Sequence, residues 1–168
     1  MHISLLSKKY TAQAGFTIIE ILVACSIMTI TAFALLSAAS KGVEVSNQAL
    51  RETQATYLLE EGVEAVTSIR DENWSTISGL TDGATYYLSY DTASNIWSLS
   101  TTPSGLIDPL FTRSVVLETA NRDSNYDIAA TGTPDPRTKE VTVTVSWPAS
   151  DGTTLSRTMS FYIADIFN

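Results

Sequence analysis

Glu20 is the residue whose chemistry this sequence leaves least free. It stands near the start of AGFTIIEILVACSIMTITAFALLSAASK, Ala14 to Lys41, a stretch apolar enough to cross a membrane. A bare carboxylate in hydrocarbon costs several kcal/mol, so Glu20 either snorkels to the interface or answers a cation. Ala14-Gly15 is the second feature. These small residues precede the apolar run, whereas an ordinary secretory signal carries its cut site after it. A cut after Gly15 removes MHISLLSKKYTAQAG and leaves a mature chain that begins at Phe16 with its membrane segment intact. Glycine there lets an extended backbone approach a protease without a side-chain clash. The third feature is the run Asp123, Asn125, Asp127. Alternate oxygen side chains are one way a loop cages calcium, although the glycine and closing Glu of an EF-hand are missing. The same pattern also makes turns in which Asp and Asn bond their own backbone.

Other chemistries are excluded by what the chain lacks. It has one His and one Cys in 168 residues. His2 lies at the start and Cys25 inside the apolar run, so the rest of the chain has no disulfide, no Cys/His zinc site and no His-based catalytic site. Cys25 reads as a small packing residue. The net charge of −8 argues against a partner bound through phosphates, unless Arg113, Arg122, Arg137 and Lys139 form a local basic patch.

The elements that must position these residues follow from periodicity. Ile21 to Ser40 carries no charge, and a helix of that length spans about 30 Å, one hydrocarbon core. Lys8 and Lys9 precede it, while Glu44, Glu52, Glu60, Glu61 and Glu64 outnumber Lys41 and Arg51 after it. The basic flank predicts a cytoplasmic N-terminus with the C-terminal part outside. Ser26, Thr29, Thr31 and Ser37 are expected to bond back to helix carbonyls or to help helices pack. Residues 41–73 continue the helix as an amphipathic half with Val45, Leu50, Leu58, Leu59, Val63, Val66 and Ile69 on one face, Glu60, Glu61 and Glu64 solvated, and Gly62 open to a close strand. The helix is expected to end between Arg70 and Asn73.

After Trp74 the chain turns to Ser, Thr, Gly and Tyr. ATYYLSYD and NIWSLST predict a hairpin turning at TAS, with Tyr86, Tyr87, Tyr90, Trp97 and Trp74 crowded around it, mostly as core. LFTRSVVLET (110–119) predicts a strand. KEVTVTVSW (139–147) alternates, with Val141, Val143 and Val145 facing the helix. Asp151-Gly152 turns the chain into a last strand, LSRTMSFYIADI. Asn121 to Glu140 reads as one long loop. The expected fold is α+β: a long N-terminal helix, its first half membrane-embedded, packed on a four- or five-stranded antiparallel sheet.

GFTIIE followed by ILVACSIMTI resembles the class III signal of type IV prepilins and type II secretion pseudopilins. In that family a membrane prepilin peptidase cuts after the glycine and methylates the new N-terminal residue, and a glutamate follows five residues after the cut. The resemblance implies cleavage between Gly15 and Phe16, N-methylation of Phe16, and a subunit-register role for Glu20, whose carboxylate would meet the Phe16 ammonium of the next subunit. Snorkelling remains the alternative. The motif covers about the first quarter of the chain. More loosely, YLLEEGVEAVTSIRDENW and FTRSVVLE with KEVTVTVSW resemble minor pilins of the V type and I-type pseudopilins, and the sheet and helix resemble type IV pilins. Two features of many major pilins are absent: a proline further along this helix and the C-terminal disulfide loop. Some pseudopilins bind calcium in a loop of the globular part.

The resemblance implies four regions: 1–15 a cytoplasmic leader, 16–40 a transmembrane and filament-core half-helix, 41–73 the amphipathic half, and 74–168 the β part. It implies a structural subunit without catalysis in the bacterial inner membrane, later in a surface or periplasmic filament. Its implied partners are prepilin peptidase, other pilins or pseudopilins, the inner-membrane platform protein and through it an assembly ATPase, and lipid before assembly. A type II secretion pseudopilus component and a single-pass anchored binding domain that never polymerises are the alternatives. A tethered secreted enzyme is disfavoured because no nucleophile–base pair is visible.

Overall fold

The computed structural model describes residues 15–166. His2, Lys8, Lys9 and Ala14 lie outside them. The chain divides into an N-terminal unit ending at Ser46 and a second unit from Asn47. Helix α1, Ile18–Glu72, contributes to both. In the first unit every described residue is exposed, including Phe16, Ile18, Ile30, Phe33 and Leu36.

In the second unit α1 lies against one face of an antiparallel sheet through Ala55, Leu59, Gly62, Ala65, Val66 and Ile69, all buried at helical spacing. The expected face began earlier, but Val45 and Leu50 are exposed. The sheet first reaches the helix at Arg51, whose Nη1 donates to the Pro148 carbonyl (3.2 Å), and at Glu52, which accepts from Arg157 (2.9 Å). Residues before them have nothing to pack on in this unit. Helix α1 stops where expected. Asn73 is extended, and its side chain accepts from the Ser75 N–H (2.9 Å) to cap a second short helix, α2 (Trp74–Ser78). Ile77 of α2 is fully buried.

The strands are β1 (Thr85–Asp91), β2 (Ile96–Ser100), β3 (Thr112–Arg122), β4 (Ile128–Ala129), β5 (Thr133–Pro148) and β6 (Thr154–Ala164). Their order is β2-β1-β3-β5-β6, with two-residue β4 added to the end of β3. The five strands on this path fall within the expected four or five, and β4 makes six. Both hairpins turn where predicted. Gly152 takes positive φ (83°), and Asp151 accepts from the Thr153 N–H and hydroxyl. The long-loop expectation is corrected: β3 runs to Arg122 and β5 starts at Thr133, so much of 121–140 is strand. Pro134 and Pro136, which read as loop residues, sit in the end of β5, where Pro134 faces Asn121.

The sheet is two-faced. Val115, Leu117, Val141, Val143, Val145 and Trp147 point inward and are buried. On the opposite face β5 and β6 pair hydroxyls, Thr142 with Ser160 (3.0 Å) and Thr144 with Thr158 (3.4 Å). Tyr86 is buried, Trp74, Tyr87 and Trp97 are half-buried, and Tyr90 is exposed with its ring tilted against Trp97, centre to centre 4.9 Å. The core reading thus holds for Tyr86 and, as partly buried side chains packed against the core, for Trp74 and Trp97, but not for Tyr87 or Tyr90.

Helix and sheet approach closely at Gly62. A Cβ there would lie 2.8 Å from Val143 Cγ1 and 3.1 Å from Arg113 Cδ. Both neighbours are buried, so neither can swing aside cheaply. Gly62→Ala is expected to destabilise the protein by about 1–3 kcal/mol, read as a lowered midpoint in urea or thermal unfolding. An unchanged midpoint would contradict this packing.

Candidate functional site

The N-terminal segment carries the residues the sequence singled out. Gly15 and Phe16 precede the helix, and Phe16 is 79% exposed. Thr17 starts α1: its carbonyl accepts from the N–H groups of Glu20 (3.1 Å) and Ile21 (3.2 Å), and its hydroxyl accepts from Glu20 N–H (3.3 Å). Thr17 is therefore the N-cap and Glu20 the third helical residue, the T-x-x-E spacing of a capping box. Sequence reasoning missed Thr17, although that spacing was its signal. Glu20 falls in the first turn, where the helix dipole favours a negative charge by about 0.3–1 kcal/mol.

The polar side chains further along are satisfied within the helix. The hydroxyls of Ser26, Thr29, Thr31 and Ser40 donate to the carbonyls of Leu22, Cys25, Ile27 and Leu36 at 2.7–3.0 Å. The back-bonding expectation holds for the first three, while no such bond joins Ser37 to the helix. This matters in a segment long and apolar enough to cross a membrane, because lipid offers a hydroxyl no partner.

The candidate ion loop is built differently from a cage. Asp123 Oδ1 accepts from the N–H groups of Asn125 (2.8 Å) and Asp127 (3.0 Å), and Asp123 N–H donates to the Asp127 carbonyl (3.0 Å). This is the self-bonded turn that the sequence equally allowed. Tyr126, at its tip, takes positive φ (67°). Among the described residues no three His, Cys, Asp or Glu side chains gather as metal ligands. Asp123 Oδ1 thus serves the backbone, which leaves Asp123 Oδ2 and the side-chain oxygens of Asn125 and Asp127 as the candidate donors of this turn.

The four cations considered as a basic patch are each held by a carboxylate. Arg113, inward on β3 and buried, donates to Glu61 (2.7 Å) and to the Leu58 carbonyl (3.0 Å), with its guanidinium 5.4 Å from the Trp97 ring centre. Glu61 is thus an ion-pair partner as well as part of the solvated face. Arg122 pairs with Asp135 (2.6 Å), Arg137 with Asp165 (3.8 Å), and buried Lys139 with Asp82. Burial pushes the Asp82 carboxyl up, but hydrogen bonds from Lys139 and Thr119 outweigh it, leaving Asp82 below its ordinary 3.8. Asp135 is lowered mainly by the Arg122 hydrogen bond, then by the Arg137 N–H and Thr138.

Two predictions follow from these contacts. Carboxyls with depressed folded values stabilise fully above their ordinary value and lose that contribution as pH falls through the lowered one. The unfolding midpoint should therefore drop as pH falls below 3.8, and Asp82→Asn should flatten that drop. For the turn, isothermal titration with millimolar calcium is expected to release no heat. Heat that Asp123→Ala abolishes would restore the cage.

Against known families, the prokaryotic N-terminal methylation motif, the prepilin-type class III signal, matches residues 10–36. No curated protein and no solved structure matches the chain.

Proposed function

We propose that this chain, which carries the prepilin-type signal of the type IV pilin and pseudopilin family, is a structural subunit of a type IV pilus-like filament, without catalysis of its own. The signal implies processing by prepilin peptidase and assembly with other pilins, and the apolar N-terminal helix supports membrane anchoring. The finer reading is of a minor pilin or pseudopilin, cut between Gly15 and Phe16, methylated on Phe16, oriented with its C-terminal part outside, and drawn by the platform protein and its ATPase into a surface filament or a secretion pseudopilus.

The observation that carries the reading is the motif joined to the start of α1. A cut after Gly15 puts a new ammonium one residue before the N-cap. That is the positive end of the helix dipole, where a cation is disfavoured. In apolar surroundings the ammonium needs a carboxylate, and Glu20 is the acid of the first turn. Pairing between the Phe16 amine of one subunit and Glu20 of the next neutralises both charges and fixes their stagger. Removing either partner strands the other. The exposed apolar face from Ile18 to Leu36 suits burial first in lipid and then among like helices.

Mass spectrometry of the N-terminus in a host with prepilin peptidase is expected to give N-methyl-Phe16. Glu20→Ala should still be cut but should enter filaments at least about tenfold less. An intact Met1, or normal incorporation of Glu20→Ala, would favour an anchored domain that never polymerises.

A further inference from the structure

We propose that a cleft at one end of the sheet is a binding site for neutral saccharides, with Tyr126 as its aromatic platform. The cleft holds about 660 Å³ and lies between the Asp123 turn, the start of β5 and the end of β6. Within the second unit this is the end opposite Pro148 and Arg157, where the helix first meets the sheet.

Tyr126 is the unexplained residue. It is 80% exposed, so it adds nothing to the core. Its φ of 67° lies in the left-handed region, where a bulky aromatic is unfavourable and Gly or Asn is the ordinary choice. Neither packing nor backbone preference calls for a tyrosine here. A ring held against both preferences, on the wall of a cleft, points to something that lies on it.

The wall is cross-braced by hydrogen bonds, and its guanidinium groups are paired. Arg122 uses Nε on Asp135, Nη1 on the Tyr126 carbonyl (2.8 Å) and Nη2 on Thr138 (3.2 Å). Asp135 further accepts from Thr138 Oγ1 (2.8 Å) and Arg137 N–H (3.0 Å). Gly132 lets the chain pass so close to Arg122 that a Cβ would sit 2.1 Å from its carbonyl oxygen. The guanidinium groups of the wall are offset by carboxylates, leaving no strong field to recruit an ion. The residues lining the cleft include Tyr126, Ser124, whose hydroxyl bonds nothing among the described residues, and Arg137 with its half-exposed guanidinium. A pyranose matches that set. Its apolar, slightly positive C–H face packs on the electron-rich ring, and its hydroxyls take the polar groups around it. A phosphorylated or acidic ligand would meet the Asp123 and Asp135 carboxylates.

The proposal is independent of whether the chain polymerises. Its test uses the full chain in a zwitterionic, sugar-free detergent. Saturation-transfer NMR is run with maltotriose, mannotriose and N-acetylchitotriose. Transfer is expected to the ring protons of at least one of them. Tyr126→Gly should weaken that binding by about tenfold while the unfolding midpoint holds or rises, because glycine relieves the backbone. Arg137→Ala should weaken it as well. No transfer from any of the three sugars, equal binding by Tyr126→Gly, or a lower midpoint in that variant would each overturn the proposal.

Discussion

The second unit depends on how closely α1 can approach β5. Gly62 is where that distance is set. With no side chain there, Val143 rises into the space and Arg113 stretches across it to the helix backbone. An arginine would otherwise be a poor occupant of an inward strand position, since its charge must be met wherever it is buried. Here Glu61, at the rim of the helix, supplies the countercharge, and Trp97 closes over the guanidinium. One glycine thus permits a chain of contacts from helix through strand to hairpin. Lys139 and Asp82 repeat the device further along, tying β5 to the segment before β1.

Much of this was legible in the sequence because it rests on period. The Val-Thr alternation of KEVTVTVSW gave strand and inward face together, and the three- and four-residue apolar steps gave the helix. What was not legible came from pairs distant along the chain. Nothing in Glu61 itself says that it meets Arg113, and nothing in Arg113 says that it points inward. The ends of β3 and β5 were misread because proline argues locally against a strand, while the observed pairing places it at the sheet's end, where fewer neighbours claim its missing N–H. Val45 and Leu50 kept the helical period without a surface to bury it against.

At the N-terminus the order was reversed. Gly15, Phe16 and Glu20 were visible as a spacing before any fold was known, and Thr17, which sets where the helix begins, was hidden inside the same motif. The positive end of the helix dipole gives Glu20 a local reason for its place beside the one that assembly would provide. The two do not compete: the dipole steadies a carboxylate in the first turn, and an incoming ammonium would find it already aligned.

The exposed side chains from Phe16 to Leu36 carry a further consequence. With hydroxyls already bonded back along the helix, this surface, Glu20 apart, asks little that is polar of its surroundings and tolerates water badly. Such a surface is at rest only in an apolar host, and lipid and the apolar faces of other helices are the two hosts that meet that demand.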